Sequence, residues 1–412
     1  MQITRRGLLG TAALGGAATV APRRGRAQGQ NTGQTIKIGV LNDQSGPYRD
    51  IGGMLGVAAV RQAVQDIGGL GFPVEVLFAD HQNKPDVGAN LVRQWFDRDG
   101  VDLIVDVPTS SVALAVNNVV REKNKVYINT GAATADLTGV QCTPNTLHWS
   151  YDTYMLSKST GGAMVQAGGD TWYFITADYV FGQQLQRDTA NFVRAAGGKV
   201  LGASLYPFPG TTDFSSFLVS AQASGAKVLG LANAGADTVN SIKQAAEFGL
   251  TRSMKVAALL MFINDVHGVG LAGAQGLFLT ESFYWDMNDG TRAFAEKLRK
   301  AMPNARPNMT SAGNYAGTLH YLKAVKEVGV ATAKQDGAAV VARMKAMPAE
   351  DQCFGKTTIR QDGLALVPAH LFQVKTPAES KGPWDYYKLV ATTPADRAWK
   401  PLAEAGCPLV KS

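Results

Sequence analysis

The chain has 412 residues, 45% of them hydrophobic and 18% charged, with 40 lysines and arginines against 33 acids and a formal net charge of +7. So long a chain exceeds what one core usually serves, so two domains are expected. Five arginines and no acid lie in residues 1–27, leaving 35 basic and 33 acidic side chains, or +2, in the remainder. A near-neutral surface without a basic cluster excludes nucleic acid as a partner.

The opening stretch MQITRRGLLGTAALGGAATVAPRRGRA places Arg5 and Arg6 before an apolar run at 7–21. That run has the length of a signal-peptide core and is too short to span a membrane. TRRGLL at 4–9 looks like a twin-arginine export motif, and Arg23, Arg24 and Arg26 suit that route. Small residues at Gly25 and Ala27 predict cleavage after Ala27. No second apolar run of about 18 residues follows. No cysteine lies near the cleavage site. The mature chain is therefore expected free in a periplasm, with no membrane insertion or lipid anchor.

Strands and helices then alternate. TIKIGVL (35–41) reads as a strand, 52–67 as a helix, FPVEVLFA (72–79) as a strand and 87–96 as a helix. A strand at 101–105, a helix at 112–123 and a strand at 126–129 follow. The rhythm restarts after about residue 150, with strands at 171–176, 200–206 and 227–232 and helices at 183–195, from 214 and at 238–248. Such alternation means βαβ units on parallel sheets, and two series of similar size mean two similar lobes. The polar and aromatic stretch PNTLHWSYD (144–152) is the expected interdomain crossing. Later come helices at 291–301, 312–328 and 337–347, then a hairpin turning at Asp362-Gly363. The expected division is 28–148 for lobe one with part of 280–350 returning to it, 149–280 for lobe two, and 351–412 for a hinge-crossing segment and tail.

Catalytic signatures are absent: no Walker A, no Gly-x-Ser-x-Gly elbow, no His-Glu-x-x-His, no Cys-x-x-Cys. GVGLAG (268–273) matches GxGxxG but lacks the strand before it and a helix after it, and reads as a loop. Cys142, Cys353 and Cys407 allow one disulfide in three pairings, and the five histidines are scattered, so neither a zinc site nor a cofactor is expected.

At the carboxyl ends of the predicted strands lie the stretches where open α/β sheets place ligands. Thr109, Ser110 and Ser111 open a helix, and their amides and hydroxyls form an anion cradle at its positive end. The plainer reading is an N-cap.

IKIGVLNDQSGPYRDIGG, DVPTSSVALAV, NTGAATADLTG and ITADYVFGQQL resemble, in order and spacing, the branched-chain amino-acid type of periplasmic solute-binding protein, the type I family serving ABC importers. The resemblance implies two Rossmann-like lobes joined by a three-stranded hinge and one ligand clamped between them, with permease subunits as partners and a monomeric chain. It implies that the loop at Ser110 holds a ligand carboxylate, joined by Gly131, Ala132 and Ala133. The family's threonine falls on Ala133, and its acidic partner for an α-ammonium falls near 259–262, where no acid stands. A buried ammonium without a countercharge costs several kcal/mol, so the sequence argues against an amino acid unless Asp178 or Glu281 replaces that partner. The family's second-lobe tyrosine is replaced around Asn233 to Gly235. Aromatic side chains concentrate at the cleft segments: Tyr48, Trp149, Tyr151, Tyr154, Tyr179, Phe181, Phe283, Tyr284 and Trp285, about half of them expected at the ligand. HWSYDTY and ESFYWD resemble members that take up benzoate-like acids. The expected contacts are Tyr48, Thr109, Ser110, Ser111, Gly131, Ala132, Ala133, Tyr151, Asp178, Tyr179, Phe181, Asn233 and Met261, with Arg49 a second carboxylate partner or a solvated charge. In the family the tail returns toward the hinge and lobe one, which implies a Cys142–Cys407 pair. The alternatives are an amino-acid receptor, a ligand sensor for a membrane partner and, last, an exported hydrolase.

Overall fold

The computed structural model describes residues 35–410, so the expected leader at 1–27 lies outside the described residues. Lobe one is built on five parallel strands, β1 (Ile36–Asn42), β2 (Val74–Asp80), β3 (Leu103–Asp106), β4 (Val126–Asn129) and β5 (Thr146–His148), ordered β2-β1-β3-β4-β5. Helices α1 (Gly53–Ile67), α2 (Pro85–Gln94) and α3 (Ser110–Glu122) connect them. Central parallel strands are covered on both faces, so β1 and β3 carry aliphatic side chains in both directions and β4 turns Val126 and Ile128 to one face and the buried Tyr127 to the other. Ile36, Ile38 and Val40 pack with Val57 and Val60 of α1, whereas Leu41 and Ile104 pack with Val92 of α2 and Val112 and Val116 of α3.

The chain crosses at 149–152 into α4 (Thr153–Leu156) and α5 (Gly162–Gln166). Lobe two follows as β6 (Thr171–Ala177), α6 (Val180–Ala195), β7 (Lys199–Tyr206), α7 (Ser215–Ala223), β8 (Val228–Ala232) and α8 (Ala236–Glu247). It continues through β9 (Lys255–Ala258), α9 (Ile263–Val269), α10 (Leu271–Ala274) and β10 (Phe278–Glu281). A second crossing, over 282–288, leads to α11 (Asp289–Arg299), α12 (Met309–Val328), α13 (Val330–Gln335) and α14 (Gly337–Ala346), with α12 laid against α1 of lobe one. A small antiparallel sheet, β11 (Ala349–Asp351), β12 (Gly355–Ile359) and β13 (Ala365–Leu366), precedes the third crossing. Then β14 (Ala369–Val374) pairs antiparallel with β10 and β15 (Tyr387–Thr393) antiparallel with β14, which completes the order β15-β14-β10-β9-β8-β6-β7. Three passages between two lobes make the multi-stranded hinge.

The tail turns back to lobe one, where Cys407 is bonded to Cys142 with their Cα atoms 5.6 Å apart; Cys353 is a buried free thiol. Among the described residues no cluster of three or more His, Cys, Asp or Glu could hold a metal, and no helix is long and apolar enough to cross a membrane.

Several local expectations shift. The stretch expected to be connector at 144–152 contributes β5 before the crossing begins, because Thr146, Leu147 and His148 find paired backbone on β4. GVGLAG is not a loop: it spans the end of α9 and the start of α10, broken at Gly270, whose φ of +89° suits glycine. The Asp362-Gly363 turn joins β12 to β13, but β13 is two residues long and the chain leaves for lobe two instead of extending the hairpin.

Candidate functional site

Loops from the carboxyl ends of β1, β3 and β4 face loops from β6, β8 and β9 across the cleft, the position at which open α/β sheets hold ligands. The lobes are shut. Tyr48 and Tyr179 share a hydroxyl hydrogen bond of 2.6 Å across the cleft, and the Ala236 amide donates to the Pro47 carbonyl at 2.9 Å. Asn308 Nδ2 donates to Asn264 Oδ1, and Gln184 Nε2 to Asp136 Oδ2, each at 2.8 Å. Gly235, with φ +61°, lets this closure occur: a Cβ there would run into the Pro47 carbonyl.

Behind these contacts lies a chamber whose walls meet so closely that only about 10 Å³ stays free, so a ligand enters it only when the lobes part. Tyr48, Ile51, Pro108, Gly131 and Ala133 line it from lobe one, Tyr151 from the crossing, and Tyr179, Phe181, Ala234, Leu260 and Phe262 from lobe two. The rings support one another. Phe208 stacks on Tyr179 at 4.3 Å between centroids and on Tyr48 at 5.3 Å, while Phe262 meets Tyr151 edge to face at 5.8 Å. The Tyr151 hydroxyl donates to the Gly131 carbonyl. Burial pushes the hydroxyls of Tyr48 and Tyr179 well above the usual tyrosine range, so both stay protonated donors. A larger groove of about 680 Å³, with Arg49, Asp50, Asn240 and His267 on its walls, lies on the outer seam beyond the Pro47–Ala236 bond. It is open, and the strand ends converge on the chamber instead.

The polar side of the site lies at the start of α3. Thr109 occupies the N-cap position, yet its hydroxyl donates to Asn83 Oδ1 and does not cap the helix. The first-turn amides thus have no side-chain cap, and the Ser110 hydroxyl is fully buried without a hydrogen-bond partner. The backbone leading there is strained: Asp106 and Val107 adopt φ of +85° and +60°.

Of the residues expected at the ligand, Tyr48, Gly131, Ala133, Tyr151, Tyr179 and Phe181 line the chamber. Ser110 and Ser111 stand at the α3 start beside Pro108. The rest do not reach it. Thr109 is spent on Asn83; Ala132 packs in the lobe-one core; Met261 packs in the lobe-two core. Asn233 is buried and accepts from Thr238 while donating to Ser241, which fastens the start of α8. Asp178 is engaged by Gln183 at an exposed position, and the exposed Arg49 is 3.7 Å from Asp50. Among the other aromatics, Trp149 packs with His320, Tyr154 with Phe192, Phe283 with Phe294 and Tyr284 with Tyr387, and Trp285 lies under Arg306. Ile51, Pro108, Ala234, Leu260 and Phe262 were not anticipated.

Among the described residues no acidic or basic side chain lines the chamber. Glu281, at the hinge end of β10, accepts from Tyr387 Oη at 2.9 Å, the Ile263 amide at 3.2 Å and the Met309 amide at 3.3 Å, which joins the starts of α9 and α12. Burial pushes its carboxyl up to about 8. Asp265 accepts from the Phe262 amide at 2.9 Å, and burial pushes it up to about 7.

The family model described as periplasmic binding protein matches residues 35–383. A periplasmic binding protein from Burkholderia mallei is 49% identical, with 92% of this chain and 100% of that one covered and a TM-score of 0.87. A periplasmic ligand-binding protein of a branched-chain amino acid ABC transporter from Burkholderia xenovorans is 38% identical, over 91% of this chain and 99% of that one, with a TM-score of 0.79. A solute-binding protein of an ABC transporter from Rhodopseudomonas palustris, solved in complex with benzoate, shares the fold at 20% identity, 91% and 99% coverage and a TM-score of 0.79. No curated protein matches the sequence.

Proposed function

The chain belongs to the type I periplasmic binding proteins of ABC transporters, and from that membership we propose that its chamber captures a small single-ring aromatic acid for an importer. The observation carrying this reading is the chamber wall: five aromatic rings, Tyr48, Tyr151, Tyr179, Phe181 and Phe262, and no acidic side chain for an ammonium. Stacked and edge-on rings suit a flat apolar body. The carboxylate would lie toward the uncapped amides and free hydroxyl at Ser110, with Gly131 and Ala133 beside it. Two or three such donors at about 1.5–3 kcal/mol each, with one buried ring, reach the roughly 8 kcal/mol of a micromolar site. That the R. palustris protein of the same fold holds benzoate is consistent with a ring of this size.

In this mechanism the ligand settles on lobe one and lobe two then closes over it, with Tyr179, Phe181 and Phe262 contacts favouring the shut form. No bond is made or broken. Export by the twin-arginine route and a monomeric receptor in the periplasm belong to the same proposal.

A branched-chain amino acid is the second reading, favoured by the B. xenovorans relative. Its ammonium would need a partner, and Glu281 and Asp265 are held by backbone amides outside the chamber. A thermal-shift screen of residues 28–412 with benzoate, 4-hydroxybenzoate and leucine separates the two. A ligand at 100 times its Kd adds about 2.7 kcal/mol of stability. Stabilisation by the aromatic acids and not by leucine is expected; the reverse pattern would replace this reading with the second.

A further inference from the structure

Asp106 closes β3 directly behind the chamber wall. Its side chain is 0% exposed, and Oδ2 accepts from Asn42 Nδ2 and Asn314 Nδ2, both at 3.0 Å. Oδ1 has no hydrogen-bond partner. Glycines clear the space it fills: a Cβ on Gly56 would lie 2.5 Å from Oδ2, and one on Gly131 would lie 2.6 Å from Oδ1 and 2.8 Å from the Pro108 Cα. Gly131 and Pro108 both line the chamber, so the free oxygen is one backbone thickness from a bound ligand.

The charge of Asp106 is uncompensated. Around it stand Asn42 of β1, Tyr127 of β4 and Tyr151 at the crossing, with Gly52 just before α1, Gly56 within α1 and Asn314 of α12. No lysine, arginine or histidine among the described residues pairs with Asp106. Burial already pushes its carboxyl up to about 6, against hydrogen bonds from the two asparagines that pull it down. A second negative charge on the other side of Gly131 raises it further, since like charges disfavour each other's ionised forms.

We propose that Asp106 is a proton-accepting positioning residue: an anionic ligand enters the chamber together with one proton from solvent, which neutralises the carboxylate behind the wall. This rests on the aromatic-acid reading. The sign follows from linkage: between the free and ligand-bound pKa values of Asp106 the complex holds more protons than its parts, so affinity weakens as pH rises, by up to about tenfold per pH unit.

Calorimetric titration of the mature chain with benzoate at pH 7, in buffers of differing ionisation heat, counts the protons. Uptake above half a proton is expected, with Kd rising severalfold from pH 6.5 to 7.5, and benzamide should show neither effect. Asp106→Asn retains an oxygen for the two asparagine donors and should bind benzoate with no proton uptake and a flat pH profile. Benzoate binding with uptake below about 0.2 proton in the wild type, or an unchanged pH slope in D106N, overturns the inference and leaves the acid reading standing. The wild-type count decides even if D106N folds poorly. Absence of binding by benzoate and 4-hydroxybenzoate at every pH overturns the acid reading, and the inference with it.

Discussion

On its lobe-one side the chamber rests on loops pinned by buried polar groups. Asp43 takes the amides of Gly46 and Tyr48, Asn129 brackets Ala132 through its amide and carbonyl, and Thr130 bonds Asn314. On its lobe-two side the wall is Phe181, Ala234, Leu260 and Phe262, side chains with no polar atom, and Tyr179 alone offers a hydroxyl. Rigid polar loops orient a ligand, and an apolar lid excludes water from it. On the proposed function, one lobe would select the chemistry of the ligand's head and the other reward the area of its body.

That division can be broken from either side. Phe262→Ala removes a fully buried ring from the lid and should weaken benzoate by about 100-fold, roughly 3 kcal/mol, with benzamide weakened to the same extent. Unequal losses, measured by titration, would mean that lobe two also reads the head group. Ser110→Ala removes one donor from the lobe-one cradle and should cost benzoate about tenfold, near 1.5 kcal/mol, while benzamide changes little.

The smallest effect concerns the hinge that joins the two walls. Glu281 binds protons more readily folded than unfolded, because burial lifts it from about 4.5 to about 8. Between those values the native state holds the extra proton, so melting temperature should fall as pH rises from 5 to 8, and Glu281→Gln should flatten that slope by a few degrees. Differential scanning at four pH values checks it.

The βα rhythm and the cleft loops were legible because period-2 and period-3.6 patterns report directly on burial. Which side chains turn into the cleft was less so. In an extended segment neighbouring residues point to opposite sides, so Gly131 and Ala133 reach the chamber while Ala132 enters the core, and Leu260 and Phe262 reach it while Met261 does not. A window near 259–262 fixes the region and leaves that parity open. Asn233 escaped for another reason: its amide satisfies Thr238 and Ser241, and nothing in the local sequence distinguishes that use from ligand contact. The late strand β14 pairs with β10 about ninety residues earlier, a distance at which local patterns carry no information, and carries β15 with it into the sheet.

Cys142 and Cys407 consume each other, and Cys353 is 7% exposed with its thiol pushed well above the usual range by burial. Among the described residues, then, no sulfur competes for a maleimide at neutral pH. A single cysteine introduced on the outer rim, at Thr211 for instance, would carry a fluorophore as the chain's lone reactive label. Opening and closing of the lobes would become an optical signal, and the receptor a reagentless sensor for its own ligand.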